Sequence, residues 1–185
     1  IKTKPGYKRC SGAFIMIRDD ELYLMADCAI NTDLDAEGLA EVAVVSNETA
    51  KQFGIDPKVA MLSFSSHGSA SHERVTMVAD AAKMAAERNP EMAVDGELQF
   101  DAAFIERVAA KKAPESKVAG HANVFIFPSI EAGNIGYKLA QYFGGFKAVG
   151  PILQGLNAPV NDLSRGCVED EAYALAIITA AQAVL

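Results

Sequence analysis

Residues 12–18 (GAFIMIR) and 21–27 (ELYLMAD) are two β-rich apolar runs separated only by Asp19-Asp20. That pattern predicts a tight antiparallel hairpin. Asp33 or Asp35 can cap a helix that runs to about Phe53, with Leu39, Val42, Ala43 and Ser46 on one face and Gly54 just past its end. Pro57 leads into a short apolar run at 59–64 (VAMLSF), expected to be a buried strand, and a loop rich in small hydroxyl residues follows at 65–71. A helix from about His72 to Arg88 should stop at Asn89-Pro90.

The alternation then repeats. A short strand is expected at 92–94, a helix at 100–111 closed by Ala113-Pro114, and a strand at 123–127 (NVFIF). A helix at 131–143 ended by Gly144-Gly145, a strand at 148–153 and a final helix at 168–185 complete the chain. Strands alternating with helical segments imply an α/β fold, a mostly parallel sheet covered on both faces, with the antiparallel hairpin at its start. Residues 1–153 read as the sheet domain and 154–185 as a separate C-terminal segment. The final helix is apolar on nearly every face around 172–178, the mark of a helix buried all round.

Composition agrees with buried parallel strands under Ala-rich helices: half of the 185 residues are hydrophobic, 8% are aromatic, and Trp is absent. The formal charge of −7 argues against nucleic acid or an anionic membrane as partner. Three widely spaced cysteines, Cys10, Cys28 and Cys167, form no CxxC, so a reducing cytoplasm is expected rather than a disulfide framework. No signal-peptide pattern opens the sequence, and the longest apolar run, 172–181, is too short to span a bilayer. The chain begins without Met directly before a strand, which leads to the expectation that it is a fragment.

Candidate chemistry centres on residues 159–166, where Ser164, Arg165 and Gly166 precede an acidic helix start, Glu169-Asp170-Glu171. One reading is structural: Ser164 or Asp162 caps the last helix and Arg165 pairs with its first turn, the commoner arrangement for such a sequence. The other is functional: Arg165 grips a phosphoryl group through its planar fork. A helix start carrying those carboxylates is a poor anion cradle, so a bound anion would need an explicit arginine. The loop after the 59–64 strand offers Ser63, Ser65 and Gly68 either to a ligand or to solvent, since α/β sheets place ligand loops at strand ends. Lys138 sits on a helix whose apolar face is Ile135, Leu139 and Tyr142, so it projects elsewhere; Lys111 and Lys112 are similar cations. His67, His72 and His121 lack metal-site spacing. Cys167 reads as a small buried hydrophobe rather than a nucleophile, and Asp95, Glu97 and Asp101 as solvated carboxylates at a helix entry.

Ordered stretches along the chain resemble the C-terminal half of phosphate acetyltransferase. They are Met25–Asn31 (MADCAIN), Val59–Ser65 (VAMLSFS), Asp95–Ala103 (DGELQFDAA), Ala132–Lys138 (AGNIGYK), and Val149–Gly155 (VGPILQG) leading into Pro159–Gly166 (PVNDLSRG). The resemblance implies a three-layer fold like that of isocitrate and isopropylmalate dehydrogenases. It implies reversible acetyl transfer between acetyl phosphate and coenzyme A, releasing phosphate in one direction and acetyl-CoA as product, with no metal or organic cofactor. In the family scheme Ser164 positions the thiol, Arg165 stabilises charge on the acyl phosphate, and a carboxylate in the next helix turn takes the thiol proton. The substrate-binding candidates are then Ser63, Ser65, Gly68, Lys112, Asn134 and Lys138. The chain departs from the family at the base: aligning the Val-Glu-Asp triplet with one residue missing gives Asp170, the slightly preferred choice, whereas the ungapped register gives Glu171.

The resemblance further implies a cytoplasmic homodimer formed through the sheet domain. Residues after about Gln154 would pack on a first domain that this chain does not encode, leaving the isolated chain weakly active or inactive. Two rivals are a non-catalytic acetyl-CoA-sensing domain like that of some malic enzymes, which usually lacks Asp-Leu-Ser-Arg-Gly, and a phosphate butyryltransferase. A related metal-dependent decarboxylating dehydrogenase would need clustered aspartates that the sequence does not show.

Overall fold

The computed structural model describes residues 1–184. Leu185, the last residue of the expected final helix, lies outside the described residues. The hairpin forms as β1 (Ser11–Arg18) and β2 (Glu21–Ala26), with Arg18 opposite Glu21 and Asp19 in a left-handed conformation at φ 50°. Aspartate tolerates that region because its short polar side chain bonds locally. The remaining strands are β3 (Lys58–Leu62), β4 (Ala93–Leu98), β5 (Val124–Ile126) and β6 (Lys147–Gln154), in the spatial order β4-β3-β5-β2-β1-β6. Only β1 runs against its neighbours; every other contact along the sheet is parallel or made through it.

Helices cover both faces. On one side lie α1 (Ala36–Gln52) and α2 (Glu73–Arg88), packed through Leu39, Val42, Ala43, Val78 and Ala82 onto Leu24, Val59, Met61 and Ile126. Of the two caps the sequence offers, Asp35 is the one used, accepting from the Gly38 N–H at 2.8 Å, and Gly54 follows at φ 76° where the sequence places it. The other face is covered by α3 (Phe100–Phe104), α4 (Glu106–Lys112) and α5 (Ile130–Tyr142). Last comes α6 (Glu169–Gln182), seated at the β6 edge with Leu175 against Ile15 and Ile152.

Several expectations are corrected. The single helix expected at 100–111 is broken at Ile105, which is extended. The carbonyls of Ala102 and Ala103, which a continuous helix would use, instead accept from Gly120 and Ala122 at 2.9 and 3.2 Å. The strand expected at 92–94 extends to Leu98, because Gly96 has no Cβ to collide with Met61, 2.5 Å away. The carboxylates there are not a solvated cluster: Glu97 is 4% exposed and Asp95 pairs with His67. The apolar face assigned to α5 points outward, with Ile135, Leu139 and Tyr142 all exposed. Its buried face is instead Gly133, with Gly136 against the Phe127 ring and Tyr137 and Ala140 on the core. Nor is α6 buried all round. Leu175 is its one buried residue among those described, because the sheet face it meets is only one strand pair wide.

Candidate functional site

After β6 the chain becomes a strap, residues 155–168, that rounds the β6 edge and delivers Ser164–Cys167 to the α5 side of the sheet. The strap begins beside the N-terminus, where Lys4 N–H donates to Gly155 O and Asn157 N–H to Lys2 O. At its tip Cys167 N–H donates to Ser164 O at 3.0 Å and Gly166 N–H to Ser164 Oγ at 3.3 Å, a tight turn that leaves the Arg165 side chain exposed. Among the described residues Arg165 makes no ion pair, so the helix-pairing reading of that guanidinium has no counterpart in the structure.

The turn lines a small cavity of about 110 Å³ together with Tyr137 and Lys138 of α5, Phe14 of β1 and Glu171 of α6. Glu171 is the third residue of α6, and its carboxylate accepts the Val168 N–H at 3.1 Å, satisfying one of the free donors at the helix start. Asp170 points elsewhere, into a groove with Ile17, Lys147 and Tyr173. Of the two alternative carboxylates, only Glu171 shares a cavity with Ser164.

Lys138 is held from below. Its ammonium donates to Asn134 Oδ1 at 2.7 Å, and Asn134 Nδ2 donates to Cys28 O at 3.0 Å. The Cys28 segment is itself fixed by Asp27, 2% exposed, whose carboxylate accepts the N–H groups of Gly12, Ala29, Ile30 and Asn31. Nothing larger than Gly133 fits where α5 crosses this turn, since a Cβ there would lie 2.2 Å from Asp27 O. Tyr137 stacks on Phe14 with ring centroids 3.9 Å apart. Burial chiefly raises the Tyr137 hydroxyl above its ordinary value. Burial, reinforced by Asp27, pushes the Cys28 thiol well up, so Cys28 is an inert thiol beneath the site.

A second cluster lies at the carboxyl ends of β3, β4 and β5, where open α/β sheets place their ligands. Ser63 edges a cavity of about 390 Å³ lined by Phe64, Phe100, Phe127, Arg74 and Ser129. Ser65 is fully buried and its hydroxyl donates to Glu97 at 2.8 Å, so it shapes the loop rather than facing a ligand. Gly68, at φ 81°, donates its N–H to the same carboxylate at 2.7 Å. Glu97 is thus the organising residue of this loop, and sequence reasoning missed it. Lys112 donates to Gln99 Oε1 and Asp101 Oδ2 at 2.8 and 2.9 Å. That hydrogen bond, against a smaller opposing effect of burial, holds the Asp101 carboxyl below the usual range. The two clusters are linked by α5: Ala132 lines the larger cavity and Lys138 the smaller, six residues apart, about 9 Å along the helix axis.

Among the described residues no group of three or more His, Cys, Asp or Glu side chains is placed to hold a metal ion. The three histidines are dispersed: His67 faces Asp95, His72 caps α2, and His121 lies 3.5 Å from Glu106. No helix of the described residues is long and apolar enough to cross a membrane.

The fold of this chain, a mixed six-stranded sheet covered by helices, is shared with solved phosphotransacetylases. A phosphotransacetylase from Streptococcus pyogenes superposes with a TM-score of 0.97 at 60% identity, over 100% of this chain and 56% of that one. The EutD phosphotransacetylase from Staphylococcus aureus does so at 0.93 and 61%, over 98% of this chain and 56% of that one. A branched-chain phosphotransacylase from Enterococcus faecalis, 24% identical at a TM-score of 0.78, shares the fold alone. The phosphate acetyl/butaryl transferase family model matches residues 1–180, and the chain belongs to that family. It is 62% identical over 184 residues to the phosphate acetyltransferase of Bacillus subtilis, covering 100% of this chain and 57% of that protein. The chain therefore spans little more than half the length of the curated relatives it matches.

Proposed function

We propose that this chain carries one wall of a site for reversible acetyl transfer between acetyl phosphate and coenzyme A. The observation that carries the reading is the convergence of Ser164, Lys138 and Glu171 on one cavity, with Arg165 in the turn that lines it. Glu171 accepts the thiol proton of coenzyme A, and the thiolate attacks the acetyl carbonyl of acetyl phosphate. A free thiol is mostly protonated at neutral pH, so a positioned base raises the reactive fraction. The tetrahedral intermediate collapses with cleavage of the carbonyl carbon–phosphate oxygen bond, and phosphate leaves. Arg165 balances the charge on the acyl phosphate and on the departing phosphate through two parallel N–H donors. Ser164 hydrogen-bonds the thiol, and Lys138, steadied by Asn134, attracts the phosphates of coenzyme A. The scheme draws on no metal or organic cofactor.

Two further features support a larger assembly. The outward stripe of α5 ends in Tyr142 and Phe143, 77% and 89% exposed, on the sheet domain through which two copies would pair. On α6, Tyr173 and Ile177 offer apolar surface to the opposing wall of the cleft. The proposed substrates are cytoplasmic metabolites, and the reading places the chain there.

Acetyl-CoA formation from acetyl phosphate and coenzyme A by the chain alone tests this. Turnover is expected about 10²-fold or more below that of the longer relatives, because the chain spans little more than half of their length and presents one wall of the proposed site. Turnover equal to theirs would overturn the one-wall reading; failure to bind coenzyme A at all would overturn the function.

A further inference from the structure

The turn bearing Ser164 and Arg165 stands at the end of a long strap that has almost nothing of its own to hold it. Residues 162–167 are exposed or half-exposed, and the hydrogen bonds within the turn run only between its own residues. Between Asn157 and Val168, every hydrogen bond that ties the strap to the rest of the fold, among the described residues, passes through one side chain, Asn161. Its Oδ1 accepts the Leu153 N–H of β6 at 2.8 Å. Its Nδ2 donates to Thr179 Oγ1 at 2.8 Å and to Gln182 Oε1 at 2.7 Å, both on α6. The Thr179 hydroxyl donates in turn to Leu175 O at 2.7 Å, on the one buried residue of that helix.

We propose that Asn161 is a positioning residue: it fixes the Ser164–Arg165 turn by stapling the strap to β6 and α6 together. The inference rests on the reading of that turn as part of the transfer site. Asparagine suits the task because a planar amide offers an acceptor and two donors on opposite sides. The side chains contributed by α6 face the donors, and the free N–H contributed by β6 faces the acceptor. Serine 164 follows three residues later, a reach of at most about 11 Å, so a shift at Asn161 is passed to the hydroxyl and guanidinium with little to absorb it. Because Glu171 belongs to α6, the same staple also sets the distance between the carboxylate and the turn.

Hydrogen exchange and coenzyme A titration calorimetry on the wild-type chain, Asn161→Ala and Asn161→Asp test the staple. Loss of its hydrogen bonds in Asn161→Ala should speed exchange at Gly166, Cys167 and Val168 about tenfold and weaken coenzyme A binding about tenfold, with β2, β3 and β5 unchanged. Asn161→Asp keeps the acceptor for Leu153, and the Gln182 amide can turn to donate to the new carboxylate, so this variant should recover part of both effects. Unchanged exchange in the turn would overturn the proposal, as would a uniform loosening of the whole sheet or a loosened turn that binds coenzyme A as tightly as before. If the wild-type chain binds no coenzyme A, the proposed function falls, and the exchange pattern alone then decides whether Asn161 fixes the turn.

Discussion

Arg165→Ala is expected to lower acetyl transfer by about 10³-fold while leaving thermal stability almost unchanged. The two halves of that expectation come from the same observation. Arg165 has an exposed side chain and no ion-pair partner among the described residues, so removing it costs the fold at most about 0.5 kcal/mol. The α6 start beside it carries Glu169, Asp170 and Glu171, which cancel the helix dipole's attraction for anions. A phosphoryl group at the turn therefore depends on the guanidinium for charge balance. Arg165→Lys should recover only part of the rate, since an ammonium lacks the fork that matches a phosphate edge. Initial rates of acetyl-CoA formation, alongside melting curves, check both halves. A rate within tenfold of wild type, or a large fall in melting temperature, would return Arg165 to a structural role.

The second large effect separates two adjacent carboxylates. Glu171→Gln should lower turnover by about 10²–10³-fold, whereas Asp170→Asn should stay within about twofold of wild type. Consecutive helix residues point about 100° apart, which is why one lines the Ser164 cavity and the other the Lys147 groove. Glutamine still accepts the Val168 N–H through its amide oxygen, so the helix start keeps its cap and the loss reports the missing base. Rates measured on both variants under identical conditions settle the choice; a large loss confined to Asp170→Asn would reverse it.

Legibility in the sequence followed how locally each feature is determined. The hairpin, a helix cap at Asp33 or Asp35 and the Gly54 stop are readable because each depends on a few neighbouring residues. The break at Ile105 was not, because it is imposed by Gly120 and Ala122, residues far along the chain that claim the carbonyls of Ala102 and Ala103. The orientation of α5 misled for a different reason. Its core face includes Gly133 and Gly136, which permit close approach to Asp27 and Phe127, while Ile135, Leu139 and Tyr142 are left to solvent. Periodicity of large hydrophobes finds the buried face only when burial is achieved by bulk.

Site residues divided along the same line. The Ser164-Arg165-Gly166 motif is legible as a string, and the structure brings Lys138, hydrogen-bonded to Asn134 one helical turn away, to the cavity that Ser164 lines. Ser65 is legible as a loop hydroxyl, whereas the burial of its partner Glu97 is not, because that burial depends on a loop from the neighbouring strand. Aligning the Val-Glu-Asp triplet favours Asp170. In the structure Val168 occupies the cap position and Glu171 the third helical residue, so helix phase rather than residue identity decides which carboxylate reaches the turn.

A crystal structure of the chain with coenzyme A bound would show which carboxylate meets the thiol. The thiol sulfur should lie in the cavity between Ser164 and Glu171, within about 3.5 Å of the Glu171 carboxylate, with the nucleotide end running along α5 past Lys138. A thiol seated instead in the groove beside Asp170 and Lys147, or buried among Phe64, Phe100 and Phe127, would contradict it.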